Sequence, residues 1–133
     1  MFRRVLLTLA LVVPLLAAAP ATAGAGPFIG SWSATDIDGS AMTMTIGNGP
    51  DGSHRVGLID HLGTICVDNQ AASVLFRGSA IGTVEGDVLT ATWRSARCGG
   101  TVFDFGDGQF AMEYLPETDQ LFGMDVFWDR HGQ

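Results

Sequence analysis

Cys66 and Cys98 are the two cysteines of this chain, and they are the first residues in it able to do chemistry. Two cysteines in a small exported domain most simply form a disulfide, and they lack the C-x-x-C spacing of a redox or metal-binding dithiol. His54, His61 and His131 are the candidate metal ligands. His54 and His61 stand seven apart across a predicted strand and turn, which sends them to opposite faces, and no H-E-x-x-H run is present. No metal and no cofactor is expected. Asp36-Ile37-Asp38-Gly39 and Asp104-Phe105-Gly106-Asp107-Gly108 look like pieces of calcium loops, but neither carries the terminal bidentate Glu of an EF-hand. Turn aspartates of this kind bond their own backbone, and that is the role expected of them. Asp104 and Asp125 interrupt apolar runs; an inward position would raise the pKa of either, and a solvent-facing one is the favoured reading. There is no G-x-S-x-G, and no catalytic residue is assigned.

The remaining chemistry is apolar recognition. Met42, Met44, Leu58, Leu89, Trp93, Phe110 and Met112 are the candidate ligand-binding residues. Methionine adapts its shape and often lines permissive pockets. The same side chains can equally fill a core, because the interior of an eight-strand barrel is just wide enough for one small ligand.

The elements that must position these residues are strands. Met42, Met44 and Ile46 alternate with Ala41, Thr43 and Thr45; Val56 and Leu58 alternate with Arg55 and Gly57. Leu89, Ala91 and Trp93 alternate with Thr90, Thr92 and Arg94, and Phe110, Met112 and Tyr114 alternate with Ala111 and Glu113. A last run, from Leu121 to Trp128, sets Phe122, Met124, Val126 and Trp128 on one face. Glycine-bearing turns such as Asp38-Gly39, Gly86-Asp87 and Gly99-Gly100 punctuate the runs. No window shows a helical period. The fold class is therefore all-β: an antiparallel up-and-down meander of about eight or nine strands, closed into a small barrel that leaves no free edge. Residues 64–82 alternate weakly and read as either strand or loop.

The start of the chain is of another kind. Arg3 and Arg4 precede an apolar run from Val5 to Leu16, and Ala21-Thr22-Ala23 supplies the small-x-small pattern of a signal peptidase site. The run is too short to serve as a membrane anchor. Residues 1–23 are read as a signal peptide and residues 24–133 as one β-barrel domain, secreted to the extracellular space or periplasm without membrane insertion. Of seven basic residues two lie in the signal, while all fourteen acidic ones follow it, so five minus fourteen gives the mature chain a net charge of −9. Such a charge repels phosphate backbones, and nucleic acid is not an expected partner.

Gly30-Ser31-Trp32 at the head of the first predicted strand, with Arg130 at the tail of the last, resembles lipocalins and other calycin barrels. The longer string from Gly30 to Ser40 also resembles small secreted bacterial proteins. The resemblance implies that Trp32 plugs one end of the barrel and that Arg130 lies across its indole, both as structural residues. It further implies a non-catalytic, monomeric barrel that takes a small apolar or amphipathic ligand at its mouth. The alternative is a protein-binding module such as a secreted protease inhibitor, since some small calycin-like barrels inhibit metalloproteases through the segment before the first strand. Here Gly24 to Phe28 offers five residues for that purpose. The chain departs from lipocalins in size and in lacking their C-terminal helix.

Overall fold

Period-two alternation with turn residues between the runs produces nine antiparallel strands among the described residues. They are β1 (Gly30–Thr35), β2 (Ala41–Asn48), β3 (His54–Asp60), β4 (Phe76–Glu85), β5 (Val88–Cys98), β6 (Thr101–Val102), β7 (Gln109–Leu115), β8 (Gln120–Gly123) and β9 (Val126–Arg130). The computed structural model describes residues 26–61, 66, 75–102 and 108–131. The expected signal peptide and its cleavage point after Ala23 lie outside the described residues, as do Asp104 and Asp107.

Strands β1 to β5 pair in sequence, β5 then pairs with β7, β7 with β8, β8 with β9, and β9 returns to β1, so eight strands close into a barrel. The short β6 pairs only with β5 and sits outside the closed ring. Inward positions carry the apolar residues: Met42, Met44 and Ile46 from β2, Val56 and Leu58 from β3, Leu89 and Ala91 from β5, and Met112 from β7 are all buried. Trp32, Trp128, Leu121 and Phe28 complete this core from β1, β9, β8 and the segment before β1.

Two features depart from the sequence reading. The run from Leu121 to Trp128 is not one strand. It folds back at Met124 and Asp125, whose φ angles of 57° and 65° make a two-residue hairpin loop between Gly123 and Val126. Across that loop Leu121 pairs with Trp128 on the inside, and Phe122 pairs with Phe127 on the outside. Phe122 therefore faces away from Trp128, not alongside it. In the ambiguous 64–82 region, residues 76–82 belong to β4. Its inward positions are Phe76, Gly78, Ala80 and Gly82, so a strand is present without an apolar alternation to announce it. A bulge between Ser79 and Ala80 places Trp93 opposite Ala80 and Ser95 opposite Ser79, leaving Arg94 as the extra residue.

Cys66 and Cys98 form a disulfide, with Cα atoms 5.6 Å apart. It ties the chain ahead of β4 to the end of β5. Among the described residues no helix is long and apolar enough to cross a membrane.

Candidate functional site

The barrel has two unlike ends. The lower end, where β1 begins and β9 finishes, is built around Trp32. Its indole nitrogen donates to the carbonyl of Phe28 at 3.0 Å. Arg130 sits opposite Trp32 in the β1–β9 register, and its guanidinium carbon lies 4.2 Å from the indole centroid. Nη1 donates to the Ile29 carbonyl at 2.9 Å and Nη2 to that of Pro27 at 3.0 Å. Nε and Nη2 also grip both oxygens of Asp119, each at 2.9 Å. The hydroxyl of Tyr114 donates to the same carboxylate.

That network fixes the charge states of its members. Hydrogen bonds from Arg130 hold the Asp119 carboxyl below its ordinary value, with the Tyr114 hydroxyl adding to the effect. The hydrogen bond to Asp119 pushes the Tyr114 phenol up, since losing its proton would set two negative oxygens together. Gly30 is required for this arrangement. Its φ is +142°, and a Cβ there would lie 2.8 Å from Nη1 of Arg130. The Arg130 guanidinium, the Asp119 carboxylate and the Tyr114 hydroxyl thus bond one another and the chain before β1 across the seam where the barrel closes.

The upper end carries the Asp36–Ser40 turn, the end of β3, the start of β4 and the disulfide. Phe76, Trp93 and Phe110 gather there from β4, β5 and β7. Phe76 meets Trp93 edge-on at 5.9 Å between centroids, and Trp93 and Phe110 tilt together at 4.8 Å. Phe76 is buried, while Trp93 and Phe110 are partly open to solvent. Gly78 makes the room, because a Cβ on it would meet Cζ3 of Trp93 at 2.5 Å. The inward polar residue at this end is Asp60, buried and bonded by the Ser40 hydroxyl at 2.9 Å. Asp36 beside it has its carboxyl pushed up by burial, with the charges of Asp38 and Asp60 acting in the same direction.

No family model, no curated protein and no solved structure matches this chain. Residue placement must carry the functional reading.

The seven candidate ligand-binding residues divide between the two levels of the barrel. Met44, Leu89 and Met112 are wholly buried in the lower and middle interior; Met44 stands opposite both Trp32 and Leu58, and Leu89 opposite Met112. They pack as core. Leu58 is buried beside Met44, Met42 is buried one inward position further up, opposite Asp60, and Trp93 and Phe110 are partly exposed. Phe76, Asp60 and Ser40 join them although nothing in their spacing singled them out. Tyr114 and Asp119 were missed at the lower end for the same reason. A guanidinium at a barrel seam needs a carboxylate, but the sequence does not say which of fourteen will supply it.

The histidines do not come together. His54 begins β3 at the lower end against the edge of Phe28, His61 follows its upper end, and His131 follows β9. The aspartates of the first turn bond locally, Asp36 accepting from the Ile37 amide and Asp38 from the Ser40 amide. Asp125 is exposed in the hairpin loop.

Proposed function

We propose that this chain is a secreted, non-catalytic barrel of the lipocalin and calycin kind that binds a small apolar or amphipathic ligand at its upper end. The observation carrying this reading is the partly exposed Trp93–Phe110 pair, backed by buried Phe76 and set above a packed apolar interior. Partly exposed aromatic rings at the end of a barrel offer an apolar ligand a large contact area at low entropic cost. Met42 and Leu58 extend the wall downward, and Asp60 with Ser40 supplies one polar group for orientation. The Trp32–Arg130 closure of the other end and the disulfide both agree with the same reading.

The protease-inhibitor alternative draws less support. Of the segment before β1, Phe28 is buried and the carbonyls of Pro27 and Ile29 are held by Arg130, so residues 27–29 are committed to the fold.

The test is titration of the purified mature domain with the fluorescent apolar probe N-phenylnaphthylamine, beside native mass spectrometry for a carried ligand. The wild type is expected to bind the probe, and Trp93→Ala to weaken binding about tenfold or more. Probe binding that is absent, or unchanged in a folded Trp93→Ala variant, would overturn the proposal.

A further inference from the structure

We infer that the seam between β1 and β9 is a second binding site, one that takes an extended basic segment of a partner protein by strand pairing. The two strands pair at Trp32–Arg130 and Ser33–Asp129, with the His131 amide donating to the Ser31 carbonyl just below. Ladder bonds from one strand edge recur at every second residue. Ser31 and Ser33 thus point their backbone groups at β9, and Thr35 is the next to do so. On β9 the matching series is His131, Asp129 and then Phe127. Thr35 and Phe127 continue the register but are not paired with each other. Each turns an amide and a carbonyl into the gap.

A groove of about 760 Å³ opens where the pairing stops, lined by Ser33, Thr35 and Thr43 on one side and Val126, Phe127 and Asp129 on the other. Phe127 is 55% exposed on its flank and its ring meets that of Phe122 at a tilt, 4.8 Å between centroids, also on the outer face. An unpaired, exposed strand edge is a template for another strand, and apolar flanking residues add specificity through alternate side chains. The charge around the groove selects the partner. Asp36 directly follows Thr35, Asp125 directly precedes Val126, and exposed Asp129, its carboxylate also accepting from Gln120, lines the groove, within a domain read as carrying a net charge of −9. The exposed arginines Arg55, Arg77, Arg94 and Arg97 are on β3, β4 and β5, away from this seam. An extended peptide alternating basic and apolar residues fits both the edge and the field.

The experiment uses a capped heptapeptide of alternating lysine and valine, its glutamate–valine counterpart, and a version with proline in place of the central lysine. Binding to the mature domain is followed by fluorescence anisotropy and by amide shifts. The lysine peptide is expected to bind, more weakly as salt rises, with the largest shifts at Thr35 and Phe127. Phe127→Ser is expected to weaken it about tenfold or more, while Val102→Ser, at an exposed position on β6, leaves it unchanged. The proline peptide tests the same point without altering the protein, because it lacks the central amide needed for pairing. Equal binding of the glutamate or proline peptide overturns the inference. So does undiminished binding to Phe127→Ser, or shifts centred on Trp93 and Phe110.

Discussion

Arg130 lies over Trp32, 4.2 Å from guanidinium carbon to ring centroid, while four of its hydrogen bonds reach Asp119 and the carbonyls of Pro27 and Ile29. One side chain thereby joins the first strand, the last strand, the segment before β1 and the β7–β8 turn. Lysine at this position keeps the charge but cannot reproduce the planar fork. Arg130→Lys is expected to cost about 2 kcal/mol, from lost charge-assisted bonds and stacking. In a domain of this size that lowers the melting midpoint by roughly 8–16 °C, read by circular dichroism. A change of less than a degree or two would mean that the network contributes nothing net.

Asp119 gives the pH dependence a definite sign. Its carboxyl is held below the ordinary value in the folded state, chiefly by Arg130, so the unfolded chain takes up its proton first as pH falls. The stability it contributes is complete above the unfolded carboxyl range and is lost as pH drops through the folded value. Asp119 is 44% exposed, so the effect is screened and modest. Asp36 acts in the opposite sense, since burial raises its carboxyl and its ionisation costs stability as pH rises. Asp119→Asn should therefore flatten the acid limb of a stability-versus-pH curve, and Asp36→Asn should raise its neutral plateau. An unchanged acid limb in Asp119→Asn would rule out this role for the pair.

The strands whose inward residues are large were legible in the sequence, and those whose inward residues are small were not. Met42, Met44 and Ile46, or Leu89, Ala91 and Trp93, alternate visibly because burying one face selects apolar side chains at every second position. β4 escapes that signal because Gly78, Ala80 and Gly82 point inward, where the Trp93 ring and the neighbouring β5 leave no room for more. The β8–β9 hairpin was hidden differently. Its loop residues, Met124 and Asp125, lack the usual Asn-Gly chemistry, so an apolar run appeared to continue through a reversal that puts Phe122 on the outer face. The upper-end site was half visible: Trp93 and Phe110 lie in clear strands, but Phe76 belongs to the strand that carries no alternation. Asp119 was invisible, because its partnership with Arg130 spans a turn whose shape no local pattern encodes.

Met124 and Asp125 hold positive φ with full side chains, a conformation that glycine and asparagine adopt more readily. Replacing the pair by Asn-Gly supplies the residues that this kind of loop favours. The double variant is expected to stabilise the domain by about 0.5–2 kcal/mol, measured by urea denaturation. Destabilisation would indicate that the partly buried Met124 packs more usefully than its backbone is strained.

The Cys66–Cys98 bond closes a loop across 32 positions of sequence. On the chain-entropy account, such a closure removes about 3–4 kcal/mol of unfolded-state freedom. Reduction, or the Cys66→Ser/Cys98→Ser double variant, should lower stability by about that much, measured by urea denaturation. The barrel should still fold, because the β3–β4 and β4–β5 ladders run on without the staple. Loss of all cooperative unfolding would show instead that the disulfide is a condition of folding.

Gly78 offers a way to disturb the proposed ligand end without removing any of its aromatic residues. A methyl group there would come within 2.5 Å of Trp93 Cζ3 and 2.9 Å of Phe76 Cζ. Neither ring can yield as a flexible chain end would, so Trp93 must tilt out of its seat. Gly78→Ala is expected to cost about 1–3 kcal/mol, change the near-ultraviolet dichroism of the Trp93–Phe110 pair, and weaken N-phenylnaphthylamine binding. The lysine–valine peptide should be unaffected, since the β1–β9 seam contains neither ring. If the probe and the peptide lose affinity together, the two sites are not separate, and the reading of the upper end as an independent binding site must be given up.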